Sequence, residues 1–554
     1  MIRNLLCIAL FMLTISALMA QNTVGLLSYE PAKSFEGYNI LYPHNQPNVY
    51  LLNNCGEIVH VWEDELDFRP GNTAYLLEDG RLVKTKRPAA VVNDPIWAGG
   101  GGAIVEIRDW DNNLEWSFEL NNDQERIHHD IEVLPNGNIL MIVWELKTEE
   151  EAIQAGRDTT LITEGELWPD YVMEVNPETD EIVWEWHVWD HLIQDFDETK
   201  DNYGVVADHP ELVDINWDTS DGAADWMHTN AIDYNAELDQ IVISVPTFHE
   251  IWIIDHTTTT EQAASNVGGM GGRGGDLLYR WGNPAAYKSG TEADQTLFYQ
   301  HDIHWVDDFL DFSHPHWMKL AVFNNRVGED FSTANIFNPG FDMYKWAYPI
   351  NGNTFGPSGF DLTIEHPEPT ALYSTGLSSV QFLPNGNALI TSGRFGYTFE
   401  ITPDDEIVWE YKTPLLSGNP VSQGDTLGLN NNLTFRVKRY PVDYEAFENK
   451  ELEPQGYIEM NPDTNFCNNI INDIEDLVMP AQLEIFPNPA TNQVTIEWEK
   501  MPKIRIEVFD VLGRQVERFT AFGGRKFLDV SQWDKGVYFI QADGVVTKKI
   551  IISR

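Results

Sequence analysis

Three histidines stand where β-strands are expected to begin: Ile127-His128-His129-Asp130-Ile131, Trp226-Met227-His228-Thr229-Asn230 and Tyr299-Gln300-His301-Asp302-Ile303. A fourth segment, Leu377-Ser378-Ser379-Val380-Gln381, belongs to the same series. The run Leu134-Pro135-Asn136-Gly137-Asn138, just after the first histidine, returns as Leu383-Pro384-Asn385-Gly386-Asn387, and superposing the two sets Ser378 opposite His129. Repeating units stacked around an axis aim equivalent residues at a common centre, so histidines far apart in sequence can share one pocket. Near neutral pH an imidazole can act as a nucleophile and carry a proton, so such a pocket suits group transfer. Side chains alternate along a strand, so one of His128 and His129 faces the pocket, and His301 and His304 are likewise opposed. The other member of each pair is read as structural.

The elements that must carry these residues are strands. Residues 22–445 hold short β-branched runs bounded by Asn, Asp, Gly and Pro, such as Tyr171-Val172-Met173-Glu174-Val175 and Ile241-Val242-Ile243-Ser244-Val245. A second phrase, a polar turn followed by an apolar strand with Trp, recurs five times. Its copies end at Trp62, Trp116, Trp186, Trp281 and, in Glu406-Ile407-Val408-Trp409-Glu410-Tyr411, two residues beyond the last Trp. Repeated phrases of this kind predict a β-propeller, with insertions where the histidine spacing widens. Residues 145–170 and 190–225, rich in charge and Trp, are candidate loops over one face. The glycine runs at 99–102 and 268–275 lack the Gly-Lys-Ser/Thr end of a phosphate loop and read as connections between sheets. Residues 197–204 lack the spaced ligands and closing Glu of a calcium loop.

A formal charge of −52 over 554 residues argues against nucleic acid or an anionic membrane as partner, because phosphate binding needs clustered Lys and Arg. It fits a solvated extracellular surface. Residues 1–20 have a basic start, an apolar run too short to span a bilayer and Ala20 before Gln21, the pattern of a secretory signal peptide. The mature chain then keeps Cys55 and Cys467, which can form one disulfide or stay as two thiols, and neither has Cys-x-x-Cys spacing. The last 72 residues, 483–554, hold 11 Lys and Arg against 9 Asp and Glu, whereas the whole chain holds 35 against 87. The tail is therefore a separate module. Its alternating strands predict a small antiparallel β-sandwich, Ig-like in class, joined by an acidic, Asn-rich linker at 446–482.

The tail's Ile485-Phe486-Pro487-Asn488-Pro489 opening, Asp510-Val511-Leu512-Gly513-Arg514 turn, Gly536-Val537-Tyr538-Phe539 strand and basic end resemble the C-terminal sorting domain of the type IX secretion system of Bacteroidota. That resemblance implies export across inner and outer membranes, with the type IX machinery as partner. In the large domain, Asp225-Trp226-Met227-His228, Gln300-His301-Asp302, Phe323-Asn324-Asn325-Arg326 and Phe399-Glu400-Ile401-Thr402 resemble the bacterial arylsulfotransferase family. The resemblance implies a six-bladed propeller that moves a sulfuryl group from a phenolic sulfate donor to a phenol acceptor, with no nucleotide sulfate and no cofactor. It implies His228, His301 and Arg326 as catalytic residues, and Asn324 beside Arg326 in substrate binding; His129 joins them through the internal repeat. The family's sulfo-accepting histidine lies late in the domain, where this chain reads Leu377-Ser378-Ser379. His366 is the late candidate that remains; otherwise an earlier histidine serves, or the protein is a propeller that binds ligands without turnover. No metal is expected among the histidines, and the chain's acidity leaves room for a structural Ca²⁺ whose ligands the sequence does not mark.

Overall fold

The Trp phrase is the fourth strand of an antiparallel sheet, and six sheets of four or five strands build the first unit among the described residues. A computed structural model describes residues 22–90, 94, 96–467, 483–498, 503–511, 514–522, 525–542 and 546–553. The expected signal peptide at 1–20 and residues 468–482 of the expected linker lie outside the described residues. Contacts divide the chain into two compact units, Met1–Asp463 and Thr464–Arg554.

In five of these sheets the strands run outward in chain order from the innermost, and in the sixth the innermost strand comes from the end of the unit. The innermost strands are β1 (Phe68–Leu76), β2 (Glu125–Val133), β3 (Ala231–Asn235), β4 (His301–Trp305), β5 (Ser379–Phe382) and β6 (Thr434–Pro441). β1 packs on β2, β2 on β3, and so on to β6, which returns to β1; the fold is all-β and propeller-like. The ring is closed by both ends of the unit. β6 pairs with Gly37–Pro43, and Gly25–Tyr29 adds a fifth strand to the sheet of β5 by pairing with Ile407–Lys412. Closure of this kind covers the strand edges that would otherwise be open to pairing.

The recurring Trp has a defined task. Its indole N–H reaches the connection between the third and fourth strands of the next sheet. Trp409 donates to Asn54 O at 2.8 Å, Trp62 to Asp109 O at 3.2 Å and Trp116 to Asp180 Oδ1 at 2.7 Å. Trp186 donates to Gly275 O and Trp281 to Pro357 O, each at 2.7 Å. A buried indole thus supplies apolar area between two sheets and one hydrogen bond across them, the bond adding about 1 kcal/mol. The sheet of β4 ends in Leu362–Ile364, which carries no Trp, so its junction with the sheet of β5 lacks the pin.

Between Glu145 and Asp170 the chain forms a short helix, Glu149–Gln154, whose capping box pairs Thr148 with Glu151. This insertion and the one from 188 to 230 bury Ala152, Leu192, Val213 and Trp226 in one core with Trp186 and Trp252. Residues 446–463 belong to the first unit. Phe447 is buried against Trp62 and Tyr440, and Gln455 Nε2 donates to Val59 O at 2.9 Å, so the start of the segment expected to be a linker is fastened down. Cys55 and Cys467 are both disulfide-bonded.

The second unit has a three-stranded sheet, Leu483–Phe486, Gln493–Trp498 and Arg525–Asp529, and a four-stranded sheet. The four strands are Gln515–Phe522, Lys503–Asp510, Gly536–Ala542 and Val546–Ile552. Val494, Ile496, Ile506, Val508, Ile540 and Ile550 form the core of this unit. No described helix is long and apolar enough to cross a membrane.

Candidate active site

Within or just before several innermost strands the backbone takes positive φ at residues other than glycine: Asn72 at 126° inside β1, His129 at 51° inside β2, His228 at 56° before β3 and Ser378 at 90° before β5. Such conformations cost roughly 1–3 kcal/mol each, so they mark places where the fold holds side chains against local preference. These turns bring His129 and His228 together, with ring centroids 4.5 Å apart at 76°.

The two histidines are supported differently. His228 Nδ1 lies 2.5 Å from Asp225 Oδ2, and Asp225 Oδ1 accepts the indole N–H of Trp144 at 3.0 Å. Burial opposes charging of this imidazole, yet the Asp225 carboxylate outweighs it and raises the pKa above 6.5. His129 Nδ1 lies 2.8 Å from His128 Nδ1, and His128 stacks on Trp144 at 3.9 Å with its Nε2 3.3 Å from Asp170 Oδ1. Burial, and next the neighbouring His228, hold the His129 pKa well below 6.5. The pocket therefore sets a neutral imidazole beside one that favours its proton. Neither His129 Nε2 nor His228 Nε2 has a hydrogen-bond partner among the described residues.

His301 joins this pair through Phe435, whose ring lies 6.3 Å from His301 and 6.4 Å from His129. Its nitrogens are both engaged. Leu377 N–H donates to Nε2 at 3.0 Å, which fixes the proton on Nδ1, and Nδ1 faces Asn325 Oδ1 at 2.8 Å. Burial lowers its pKa to about 3, so it stays neutral. Asn325 in turn donates to Ser374 O and Leu377 O, both at 2.9 Å. Arg326 lies with its guanidinium 3.6 Å above the Tyr299 ring and donates from Nε to Thr375 O at 3.0 Å. Asn324 is buried and points away from open space: it accepts Phe298 N–H at 2.7 Å and donates to Thr296 O at 3.0 Å, clamping the segment that leads to Tyr299. His366 is not brought to the pocket. Its Nδ1 accepts Glu368 N–H at 2.9 Å, and its ring packs on Phe399 at 5.0 Å.

Arg394 was not singled out from the sequence, although a signal exists. Arg326 follows the strand Leu320–Asn324 by two residues, and Arg394 follows the matching strand Ala388–Ser392 by two. Arg394 Nη1 donates to Asn430 Oδ1 at 3.2 Å, while its Nε is buried without a partner; a Cβ on Gly376 would lie 3.3 Å from Nη2 and 3.7 Å from His301 Cε1. Arg87 lies over Trp97 at 4.9 Å, and burial with Arg87 and Arg394 nearby lowers the His44 pKa to about 4. Among the described residues none of Arg87, Arg326 and Arg394 forms an ion pair. In a chain of net charge −52, three unpaired guanidinium groups around one cluster of imidazoles make a local field suited to an anion.

Below the histidines the next residues of the inner strands form a rigid layer. Arg436 Nη2 pairs with Asp130 Oδ2 at 2.9 Å and Arg436 Nε with Asp302 Oδ1 at 2.6 Å, and Tyr75 Oη donates to Asp130 Oδ1 at 2.7 Å. His304 lies under this layer and lines a cavity of about 60 Å³ with Glu132, Asp233 and Lys438. Among the described residues no group of three or more His, Cys, Asp or Glu side chains is placed to hold a metal ion.

A closed all-β ring with a histidine and arginine pocket at its inner strand ends defines the class of the protein. The model of the arylsulfotransferase (ASST) family matches residues 102–417, more than half of the chain, and the chain belongs to that family. The model of the secretion system C-terminal sorting domain matches residues 484–553, so the tail is a type IX sorting domain and the protein is exported to the cell surface or the medium. No curated protein matches the chain. Among solved structures, the chain is similar to a protein of unknown function from Bacteroides caccae, with 10% identity, 68% of this chain and 94% of that one covered, and a TM-score of 0.36. It is also similar to virginiamycin B lyase from Staphylococcus aureus, crystallised as an inactive variant with quinupristin, at 11% identity, 69% and 86% coverage and a TM-score of 0.31. A streptogramin B lyase gives 11% identity, 75% and 97% coverage and a TM-score of 0.32. These likenesses carry no inference about activity here.

Proposed function

We propose that the mature protein is a six-bladed propeller at 21–445, followed by a connecting segment at 446–482 and an Ig-like sorting domain at 483–554, and that it transfers a sulfuryl group from a phenolic sulfate to a phenol through a histidine. The observation that carries this reading is the pairing of a neutral imidazole, His129, with a proton-favouring one, His228, 4.5 Å away. In the first half-reaction an imidazole lone pair bonds to sulfur as the aryl O–S bond breaks, and the departing phenolate takes the proton of His228 Nε2. In the second, the acceptor phenol gives its proton back to His228 and displaces the imidazole. Arg326 and Arg394 neutralise the sulfuryl oxygens, whose charge grows in both transition states. His301 and Asn324 hold the pocket's walls.

One observation favours a second reading. Ser378 stands at the late repeat position in place of a histidine, and its Oγ accepts Gly393 N–H at 2.9 Å. On this reading the propeller binds an aromatic or sulfated ligand without turnover. Purified mature protein with a chromogenic phenyl sulfate separates the two. Continued release of the donor phenol beyond one equivalent per protein that requires a phenol acceptor supports transfer. Saturable binding with no release from any donor supports the binding module, and release by water alone indicates a sulfatase.

A further inference from the structure

His129, His228 and His301 can be told apart by what holds their ring nitrogens. The lone pair of His301 Nε2 is occupied by Leu377 N–H, so this ring has no nitrogen to offer sulfur. His228 is held by Asp225 in the form that donates a proton. His129 keeps a free Nε2, and its tautomer is decided two residues away. Asp170 Oδ1 lies 3.3 Å from His128 Nε2, out of line for a hydrogen bond, and the negative carboxylate repels a lone pair placed there, so His128 Nε2 carries the proton. His128 Nδ1 then presents a lone pair, and the 2.8 Å contact requires the proton between the two rings to sit on His129 Nδ1. His129 Nε2 is left with its lone pair. The opposite arrangement would set a lone pair of His128 against the carboxylate.

The surroundings hold this chain in place. His128 lies flat on Trp144, at 4° between planes, and Thr229 N–H donates to Asp170 Oδ2 at 2.9 Å, so both partners are fixed from a second side. His128, His129 and Asp170 are all buried. Trp144 also donates to Asp225, which ties the support of His129 to that of His228.

We infer that His129 Nε2 is the atom that receives the sulfuryl group, and that Asp170 and His128 are positioning residues that select its reactive tautomer. This rests on the sulfotransfer reading above. As the N–S bond forms and the O–S bond breaks, positive charge develops on the His129 ring. The Nδ1 proton shifts to His128 Nδ1, and the resulting imidazolium is neutralised by Asp170. When the acceptor oxygen bonds to sulfur and the N–S bond breaks, the proton returns. The late histidine that the family resemblance implies is thereby replaced by one from the repeat of β2.

The test is to mix mature protein with an aryl sulfate in the absence of acceptor, quench it, and map the peptides for an added SO₃ group. The expected result is the group on His129 and its absence in His129→Ala. Asp170→Asn and His128→Gln are expected to lower the rate of phenol release at saturating donor by about 10²-fold, with KM nearly unchanged, and Asp170→Glu to recover part of it. Thermal denaturation verifies that each variant is folded. The group on His228, His301, His366 or a serine, or an unchanged rate in Asp170→Asn, overturns the inference while the sulfotransfer reading stands. No release of phenol by the wild-type protein from any donor overturns both.

Discussion

Gly100→Ala separates the position of His129 from everything else in the pocket. A Cβ at residue 100 would lie 2.0 Å from His129 Nε2, 2.1 Å from Cε1 and 2.4 Å from Cδ2, where ordinary contact begins at 3.4 Å. The ring must therefore retreat by more than an ångström. A shift of about 1 Å in a reacting group costs roughly 10²-fold in rate. Gly100 also has φ 84°, so alanine there adds about 1 kcal/mol of backbone strain that has nothing to do with the ring. Gly137 supplies the control: its φ is 85°, and a Cβ there meets nothing within 4 Å. Gly137→Ala measures the backbone strain alone in urea unfolding, and Gly100→Ala is expected to lose about 1–3 kcal/mol more as the buried ring is displaced. Only Gly100→Ala is expected to lose about 10²-fold in release of a chromogenic phenol. If its rate stays within about threefold of that of Gly137→Ala, His129 Nε2 is not where the chemistry occurs.

Asp225→Asn removes the group that overcomes burial and raises the His228 pKa. The stability this pair contributes is fully present below the ordinary value of 6.5 and fades as pH rises through the higher folded value, so the variant's deficit is largest in acid and shrinks in alkali. The same substitution moves the alkaline limb of the pH–rate profile to lower pH, because the proton donor is lost sooner. Arg326→Ala and Arg394→Ala each lower kcat/KM for the donor by about 10²-fold or more, measured by initial rates, as expected for a removed charge-stabilising group. Trp409→Phe removes the N–H that bonds Asn54 O together with the pyrrole half of a buried indole, which costs roughly 2–3 kcal/mol in chemical denaturation through the lost bond and the cavity left behind. Deleting residues 483–554 leaves the protein in the periplasm of a host with type IX secretion, detected by fractionation.

Much of this was legible in the sequence, because periodic features repeat. The five Trp phrases marked the fourth strand of their sheets, and the histidine runs marked inner strands, although only His301 opens one: His129 lies inside β2 and His228 three residues before β3. What the pattern could not carry was contact across the ring. Strand alternation set His128 and His129 on opposite sides, and their left-handed junction instead lets the two Nδ1 atoms meet at 2.8 Å. His301 and His228 look alike as strings, and only the Leu377 N–H from a distant loop distinguishes the capped ring from the free one. His366 was attractive for its lateness in the chain, but its neighbours Tyr397 and Phe399 make it a packing residue. Asp225 stood in plain view three residues before His228, whereas Asp170 is joined to His128 only through the folded sheet of β2.

Rapid mixing of the mature protein with excess aryl sulfate and no acceptor tests most directly whether a histidine carries the sulfuryl group between donor and acceptor. A covalent carrier gives a burst of phenol close to one equivalent per protein, followed by a stall that added acceptor phenol relieves. His129→Ala abolishes the burst, and His228→Ala slows it. Phenol that appears only once acceptor is present, or that continues to form in water without a stall, contradicts a histidine-borne intermediate.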